Sequence, residues 1–206
     1  MRAPLPEPRI VHKGAGFLVI DKPAGWATEG GTPDLHAWLK AKNPYAALVH
    51  RLDQAASGLL VVSIRKEDNG WLSDAFRDGT ADRRYSAVLE GDVAPTTWDR
   101  ALAPPAGGKA LPARTFVEVV GHGEGKTAVI CTLDTGRTHQ IRLHAAFAGH
   151  PILGDRRHGG EAGLRWPRLA LHATTLSLMT PSGPRTWNSP IPDDLSALWE
   201  GCSSPR

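Results

Sequence analysis

The sequence predicts an α+β protein whose sheet is largely antiparallel or mixed. Segments typical of strands and segments typical of helices are interspersed along the 206 residues, and they form no regular strand–helix–strand repeat. Gly and Pro mark the turns between them. Apolar residues make up 41% and charged residues 22%, which are ordinary values for a globular protein. We therefore expect one domain over residues 1–206 with its own hydrophobic core.

The first half of the chain predicts two strands and two helices. The apolar run 17–20 is followed by turn residues and predicts a buried strand. Asp34 is placed to cap a short helix that continues through Lys40. Residues 59–64 are strongly apolar and predict a second strand. Residues 67–77 predict a helix whose apolar side chains share one face, followed by Gly79 as a stop signal.

The second half predicts four strands and two helices. Residues 83–90 alternate with a period of two, which predicts a strand with one apolar face. Residues 95–108 hold turn residues without a clear period, so we expect a loop there. The other predictions are strands at 113–120 and 127–133 joined by a turn at 121–125, a helix at 138–148 capped by Thr138, a strand at 169–179 and a helix at 193–199.

Composition and motif absences narrow the class of protein. Cys131 and Cys202 lie far apart in the sequence, which favours neither a disulfide framework nor a zinc site. The nine histidines are scattered without an HExxH motif, so we expect no metal. No phosphate-binding loop and no dinucleotide-binding glycine motif follows a predicted strand.

Charge and apolar content indicate the surroundings of the protein. The net charge is +3 and the isoelectric point about 9.1, which permits a nucleic-acid partner without requiring one. No apolar run approaches the roughly 20 residues that cross a membrane. The N-terminal residues lack the apolar core of a signal peptide, so we expect a cytoplasmic protein.

The polar segment 50–58 carries the most informative chemistry. Asp53 lies there, directly before the apolar strand predicted at 59–64. A carboxylate at the edge of an apolar core is a candidate nucleophile, because burial removes its water. The alternative is a loop aspartate that caps a turn. The spacing alone leaves both interpretations open.

Two further segments carry candidate substrate contacts. Residues 135–144 offer many hydrogen-bond donors and few carboxylates, which suits an anion such as a phosphate or a paired aspartate. An exposed basic helix face is the alternative for this segment. Tyr85 begins a strand beside Arg83 and Arg84, and its ring could stack on a base. A half-buried strand tyrosine is the alternative there.

Five segments, taken together, resemble the motifs of the RluA-type pseudouridine synthases. They occur in the family's order between about residue 14 and residue 181. The segments are the strand and turn FLVIDKPAG at 17–25, HRLDQAASGLL at 50–60, RRYSAVLEG at 83–91, TGRTHQIRLH at 135–144 with GHPILGD at 149–155, and LALHA at 169–173. This ordered set is more specific than any one of its members.

The resemblance implies a fold, a reaction and a set of residue roles. The fold would be the family's bent, mixed, largely antiparallel sheet with flanking helices. The reaction would isomerise a specific uridine in a stem-loop of ribosomal or transfer RNA, after the base is flipped out. A monomer would act without cofactor or metal. The implied catalytic residues are Asp53, Tyr85 and Arg142, and the implied substrate-binding residues are His50, Arg51, Arg137, His139 and Gln140.

Within that resemblance, Asp53 would act on the ribose, either by attacking C1′ or by taking the C2′ proton. Tyr85 would stack on the base, and Arg142 would pair with Asp53 and keep it ionised. Arg51 would contact the RNA where the flipped base leaves a gap. Residues 54–56 depart from the family's usual triplet, and we expect no room for the N-terminal S4-like domain that many members carry.

Two other functions stay open at this point. An N-glycosidase could also use Asp53 but would release the base, so free uracil would identify it. A non-catalytic RNA-binding module could retain the fold. Loss of a residue implied as catalytic would be its simplest sign, and Asp53, Tyr85 and Arg142 are all present.

Overall fold

The structure is a computed structural model that describes residues 5–203, and it has the α+β architecture that the sequence predicts. Ten strands form one mixed, mostly antiparallel sheet, and four α-helices accompany it within those residues. The strands are β1 (Arg9–Lys13), β2 (Phe17–Lys22), β3 (Ala47–Leu48), β4 (Ser57–Ser63), β5 (Asp82–Glu90), β6 (Thr96–Trp98), β7 (Thr115–Gly123), β8 (Lys126–Leu133), β9 (Leu171–Thr180) and β10 (Gly183–Asn188). The helices are α1 (Leu35–Lys42), α2 (Asn69–Arg77), α3 (Gln140–Phe147) and α4 (Asp193–Ser203).

The described residues divide into two compact units. The first comprises residues 5–81 and 175–189, and the second comprises residues 82–174 and 190–203. The strand order is β1-β2-β4-β9 in the first unit and β9-β5-β8-β7-β6 in the second, because β9 contributes residues to both. The assignment of residues 1–206 to one catalytic domain stays a prediction.

The core of the first unit forms where the apolar faces of β2, β4 and β9 meet α2. Every residue of β4 is buried, because β4 is an interior strand of the sheet. Leu72 of α2 is fully buried in this core, as its place on the apolar face of the helix predicts. The core cluster comprises Phe17, Val19, Leu59, Val61, Leu72, Ala81, Leu176 and Leu178.

The core of the second unit surrounds β5. The alternating pattern predicts one buried face, but residues 85–89 are buried on both faces. The strand lies in the interior of the sheet, between β9 and β8, and both of its faces are covered. Strands β7 and β8 form the predicted hairpin, with a turn at Glu124 and Gly125 that is tighter than predicted. Gly125 has a φ of 61°, which suits a tight hairpin turn.

Other sequence predictions were wrong in detail. The predicted loop at 95–108 contains β6, whose three residues are too few to show a period. The helix predicted from 138 begins at Gln140, and its N-cap is His139 rather than Thr138. Strands β1, β3 and β10 were not predicted. The first lies in a Pro-rich start, the second has two residues, and β10 is largely exposed.

No helix within residues 5–203 is long and apolar enough to cross a membrane.

Candidate active site

The loop that carries Asp53 is held by hydrogen bonds to its backbone on both sides of the carboxylate. Thr28 Oγ1 donates to the carbonyl of Leu52 at 2.7 Å and accepts from the Leu52 amide at 3.1 Å. The Gly25 amide donates to the carbonyl of Gln54 at 2.7 Å. The Ala56 amide donates to the carbonyl of Asp53 at 3.1 Å, and this hydrogen bond closes a turn over residues 53–56. The half-buried Asp53 side chain therefore projects from a fixed backbone.

Lys22 stabilises the same loop through its buried side chain. Its side chain is fully buried, and Nζ donates to the carbonyl of Ala56 at 2.6 Å and to that of Trp26 at 2.9 Å. The carbonyls of Pro23 and Gln54 lie at 3.1 and 3.5 Å from the same nitrogen. Burying an ammonium group costs free energy unless its N–H donors find acceptors. The cluster of carbonyls around Lys22 supplies these acceptors. The position of Lys22 in the segment 17–25 was visible in the sequence, but this supporting role was not predicted.

Gln54 stabilises the loop although it departs from the family pattern. Its Nε2 donates to the carbonyl of Gly25 at 2.9 Å, while the Gly25 amide donates to the carbonyl of Gln54. Each of the two residues therefore donates one hydrogen bond to the backbone carbonyl of the other. Gly25 has a φ of 93°, a conformation that favours glycine.

His50 is integrated into the first unit. Its Nε2 accepts a hydrogen bond from the Val61 amide at 2.9 Å, so that nitrogen carries no proton. Its ring stacks on Phe76, with ring centroids 4.0 Å apart and planes 12° apart. Arg51, the next residue, is exposed. The geometry gives His50 a structural role, and the substrate-binding role implied for it stays a prediction.

Arg142, in the second unit, forms a buried ion pair with Asp155. Arg142 Nε donates to Asp155 Oδ2 and Nη2 donates to Oδ1, both at 2.8 Å. The two side chains are 7% and 1% exposed, so the interpretation of this segment as an exposed basic face is wrong for Arg142. The pair was not predicted, and the presence of Asp155 at the end of the segment 149–155 was its one sign in the sequence.

The environment of Asp155 keeps it ionised. Burial by itself raises the pKa of this carboxyl, but the hydrogen bonds and positive charge of Arg142 outweigh that effect. The amides of Arg157 and His158 also donate to Oδ1, each at 3.1 Å. The net result is a pKa below the usual value for aspartate.

Gln140 uses its whole amide group within the protein. Its Oε1 accepts from Thr135 Oγ1 at 2.7 Å and from the Arg137 amide at 3.0 Å. Its Nε2 donates to the carbonyl of Arg114 at 2.8 Å and to Thr115 Oγ1 at 3.0 Å. A glutamine amide has two acceptor sites and two donors, so these four bonds use them all. Gln140 therefore stabilises the loop that precedes α3 through these hydrogen bonds.

His139 and Arg137 occupy that loop. His139 has a φ of 56°, a left-handed conformation that is uncommon outside glycine. Its Nδ1 lies 2.9 Å from Nε2 of His158, so one of the two rings donates to the other. Arg137 is exposed, and its Nε donates to the carbonyl of Pro112 at 3.0 Å. The substrate-binding roles implied for Arg137, His139 and Gln140 stay predictions.

Tyr85 lies on β5 opposite Cys131 of β8 and is 7% exposed. Its strand neighbours Arg83 and Arg84 point to opposite faces, as the period of two requires. Arg83 is buried against Gly136, where an added Cβ would lie 2.6 Å from Nη1. Arg84 is exposed, and its Nε lies 3.2 Å from an oxygen of Asp82.

The predicted catalytic residues are distributed over both units. Asp53 belongs to the first, and Tyr85 and Arg142 belong to the second. Within the second unit, hydrogen bonds link Arg142 to Asp155, the His158 amide to Asp155, and the His158 ring to His139. Among residues 5–203, no three His, Cys, Asp or Glu side chains form a group that could hold a metal ion.

Comparison with known proteins assigns the chain to a family. Residues 10–147 match the family described as RNA pseudouridylate synthase. The chain belongs to this family of RNA-modifying enzymes, as the motifs in its sequence indicate.

Curated relatives and solved structures agree with that assignment. The chain is 33% identical to the ribosomal large subunit pseudouridine synthase D of Nitrosomonas europaea, covering 92% of this chain and 64% of the relative. It is 32% identical to the dual-specificity RNA pseudouridine synthase RluA of Escherichia coli, covering 90% of this chain and 93% of the relative. The structure of human RNA pseudouridylate synthase domain containing 1 matches with a TM-score of 0.82 and 25% identity, covering 100% of this chain and 91% of that one.

Proposed function

We propose that this protein converts a specific uridine of ribosomal or transfer RNA to pseudouridine, with Asp53 as the catalytic carboxylate. The observation that carries the proposal is the fixed loop around Asp53, in a chain whose family modifies RNA uridines. A carboxylate that reacts with a ribose must be positioned before the substrate arrives, and a backbone held on both sides supplies that order.

The proposed reaction is an isomerisation in which the atoms balance without a co-reactant. The target uridine leaves its stack and enters the site. Asp53 attacks C1′ or removes the C2′ proton, and the bond between N1 and C1′ breaks. The uracil turns and C5 bonds to C1′; on the first route this displaces Asp53 from C1′, and on the second Asp53 returns the proton to C2′. C5 then loses its proton, and N1 gains one. Both routes for Asp53 remain part of the proposal.

The remaining predicted residues act on the substrate and on Asp53. Tyr85 stacks on the uracil ring, as an aromatic side chain does with an unstacked base. Arg51 contacts the RNA around the flipped nucleotide. Two of the five N–H donors of Arg142 serve Asp155. Arg142 is further proposed to keep the catalytic carboxylate ionised.

The nature of the RNA is proposed from the relatives. One relative is named for the large ribosomal subunit and another for dual specificity. A stem-loop fits both kinds of RNA, because extruding a base that is already partly unstacked costs less than extruding one from a duplex.

The test compares wild-type protein with Asp53→Asn on RNA labelled with tritium at uridine C5. We expect tritium release by the wild type and none by the variant, because the amide keeps the shape but loses the reactive oxygen anion. RNA binding should persist in the variant. Turnover of Asp53→Asn within tenfold of wild type would refute the assignment of Asp53, and free uracil among the products would identify an N-glycosidase instead.

Mapping pseudouridines in host RNA with and without the gene identifies the substrate. We expect the loss of one or a few pseudouridines from ribosomal or transfer RNA when the gene is deleted. An unchanged pseudouridine map would contradict the proposed function.

A further inference from the structure

A cavity of about 520 Å³ lies in the first unit, and the proposed reaction does not use it. Three segments line it: the connection from β1 to β2 at residues 12–17, the start of α2 at Asp68 and Trp71, and the β9–β10 hairpin at 180–182 with Arg185. All of these residues belong to the first unit. The volume falls in the range of about 300–1,000 Å³ that is typical of small-molecule sites.

The cavity lies at the opposite end of the β2–β4 ladder from the Asp53 loop. At one end of this ladder Phe17, which lines the cavity, pairs with Ser63. At the other end Lys22 pairs with Gly58, and Lys22 binds the carbonyls of the Asp53 loop. Five residue steps separate Phe17 from Lys22, and at about 3.3 Å per step they span roughly 17 Å. The cavity is therefore separate from the Asp53 loop.

Two cations at the rim of the cavity have no carboxylate partner among residues 5–203. Lys13 and Arg185 are exposed, and neither has a carboxylate oxygen within 4.0 Å of its charged nitrogens in the part of the chain that the structure describes. His12 lines the cavity beside Lys13 and can add a further donor. An anion at this rim would meet two positive charges that no carboxylate among the described residues neutralises.

Asp68, the acidic residue of the lining, is part of the wall. Its Oδ1 accepts a hydrogen bond from Trp71 Nε1 at 2.9 Å. Its carboxylate packs so closely on Gly16 that a Cβ there would have no space. Asp68 therefore fixes the Trp71 ring and the Gly16 backbone. Its carboxylate oxygens lie more than 4.0 Å from the charged nitrogens of Lys13 and Arg185.

Aromatic rings form the other side of the cavity. Trp71 is half-buried, and its ring meets the edge of Phe17 with the centroids 5.8 Å apart and the planes at 86°. Phe17 in turn contacts Trp187, and His12 lies 5.3 Å from Trp187 between ring centroids. A fixed aromatic ring beside cations is the combination that binds single-stranded nucleic acid, because bases stack on the ring while phosphates meet the charges.

We propose that this cavity binds one nucleotide of the RNA strand outside the uridine that is modified, with the base against Trp71 and a phosphate between Lys13 and Arg185. The proposal rests on the proposed function, which supplies RNA as the substrate. It assigns the first unit two RNA contacts at opposite ends of one strand ladder.

The test uses Lys13→Ala/Arg185→Ala and a control, Lys40→Ala/Lys109→Ala, which removes the same charge at two exposed residues that do not line the cavity. The probe is a fluorescein-labelled single-stranded dodecauridylate RNA, with binding followed by anisotropy at several KCl concentrations. Loss of this phosphate contact should reduce the slope of log K against log salt by about 0.7, because each phosphate neutralised on a single strand contributes about that much. The control should keep the wild-type slope.

A crosslinking arm locates the contact. We expect a 4-thiouridine form of the same oligonucleotide to crosslink, on irradiation, to peptides that contain His12 or Trp71. Equal slopes for the cavity variant and the control would overturn the proposal. Displacement of the oligonucleotide by uridine monophosphate at equal nucleotide concentration would also overturn it, because the cavity would then be a mononucleotide site.

Tritium release by the wild type separates this inference from the proposed function. Release together with equal slopes refutes the cavity contact alone. A reduced slope without release refutes the proposed reaction and leaves an RNA contact at the cavity.

Discussion

Asp155 holds Arg142 through both carboxylate oxygens, each 2.8 Å from a different guanidinium nitrogen, in a pair that is almost fully buried. This contact uses one edge of the guanidinium group and fixes the plane of its other donors. Removing one partner of such a pair leaves an uncompensated buried charge, which costs far more than the pair itself contributes.

Asp155→Asn should therefore lower the free energy of unfolding by about 3–5 kcal/mol, since the amide cannot balance the charge of Arg142. Urea denaturation of the two proteins measures the difference. The matched control is Asp134→Asn, which disrupts the Arg114–Asp134 pair, where the two side chains are 55% and 51% exposed. That variant should lose less than about 1 kcal/mol, because solvent screens exposed pairs. Similar losses in both variants would contradict the importance given to burial.

The lowered pKa of Asp155 predicts how this stabilisation depends on pH. A carboxyl whose pKa is lower in the folded state stabilises the fold above its unfolded pKa, about 3.9 for aspartate, and loses that effect as the pH falls through the folded value. The stability gap between wild type and Asp155→Asn should thus be constant near neutral pH and shrink below about pH 4. Urea denaturation from pH 7 down to pH 3 follows it. A gap that widens on acidification would show that the sign is wrong.

The strands and helices were predictable where packing agrees with local pattern. The buried runs of β2 and β4 and the apolar face of α2 depend on neighbouring residues in the sequence, and all three were predicted. The two-sided burial of β5 was not, because it depends on parts of the chain that are distant in the sequence and cover the second face. Strand β6 was also missed, since its pairing with β7 is the main sign of it.

Candidate site residues were predictable as residue types in motifs, but their partners were not. Nothing local to Arg142 indicates that Asp155, thirteen residues later, neutralises it. In the same way Lys22 reaches Ala56 of the Asp53 loop across 34 residues, and Gln54 of that loop reaches Gly25 across 29 residues. The family resemblance implies a substrate contact for Gln140, which stays a prediction. Nothing in its motif indicated the four side-chain hydrogen bonds that it forms within the protein.

Lys22→Met should loosen the Asp53 loop while retaining most of the side-chain volume. The substitution leaves the carbonyls of Trp26 and Ala56 without their buried donor, at a cost of about 1–3 kcal/mol for each unsatisfied group. We expect faster hydrogen exchange of the Ala56 amide, which closes the turn at Asp53, and at least about tenfold slower pseudouridine formation.

Lys40→Met is the control for that variant, because Lys40 is exposed on α1. Mass spectrometry of exchanged peptides covering residues 50–58 distinguishes local loosening from global unfolding. Wild-type exchange and wild-type activity in Lys22→Met would show that the lysine does not order the loop.

The size of RNA that the protein needs is the last prediction. We expect the surface of the catalytic fold around the target uridine to contribute most of the recognition. Such a surface reads a flipped base and a few neighbouring nucleotides, and a loop presents them at low cost. The proposed nucleotide contact at the cavity lies roughly 17 Å from Lys22, at the other end of the β2–β4 ladder. One RNA hairpin with its flanks can reach both places. We therefore expect a short stem-loop with its single-stranded flanks to be modified nearly as well as the full-length RNA. Once the target uridine is mapped, kcat/KM on both substrates measures this, with a hairpin that carries cytidine at the target as the blank. A hundredfold or greater loss on the hairpin would show that distant parts of the RNA contribute to recognition.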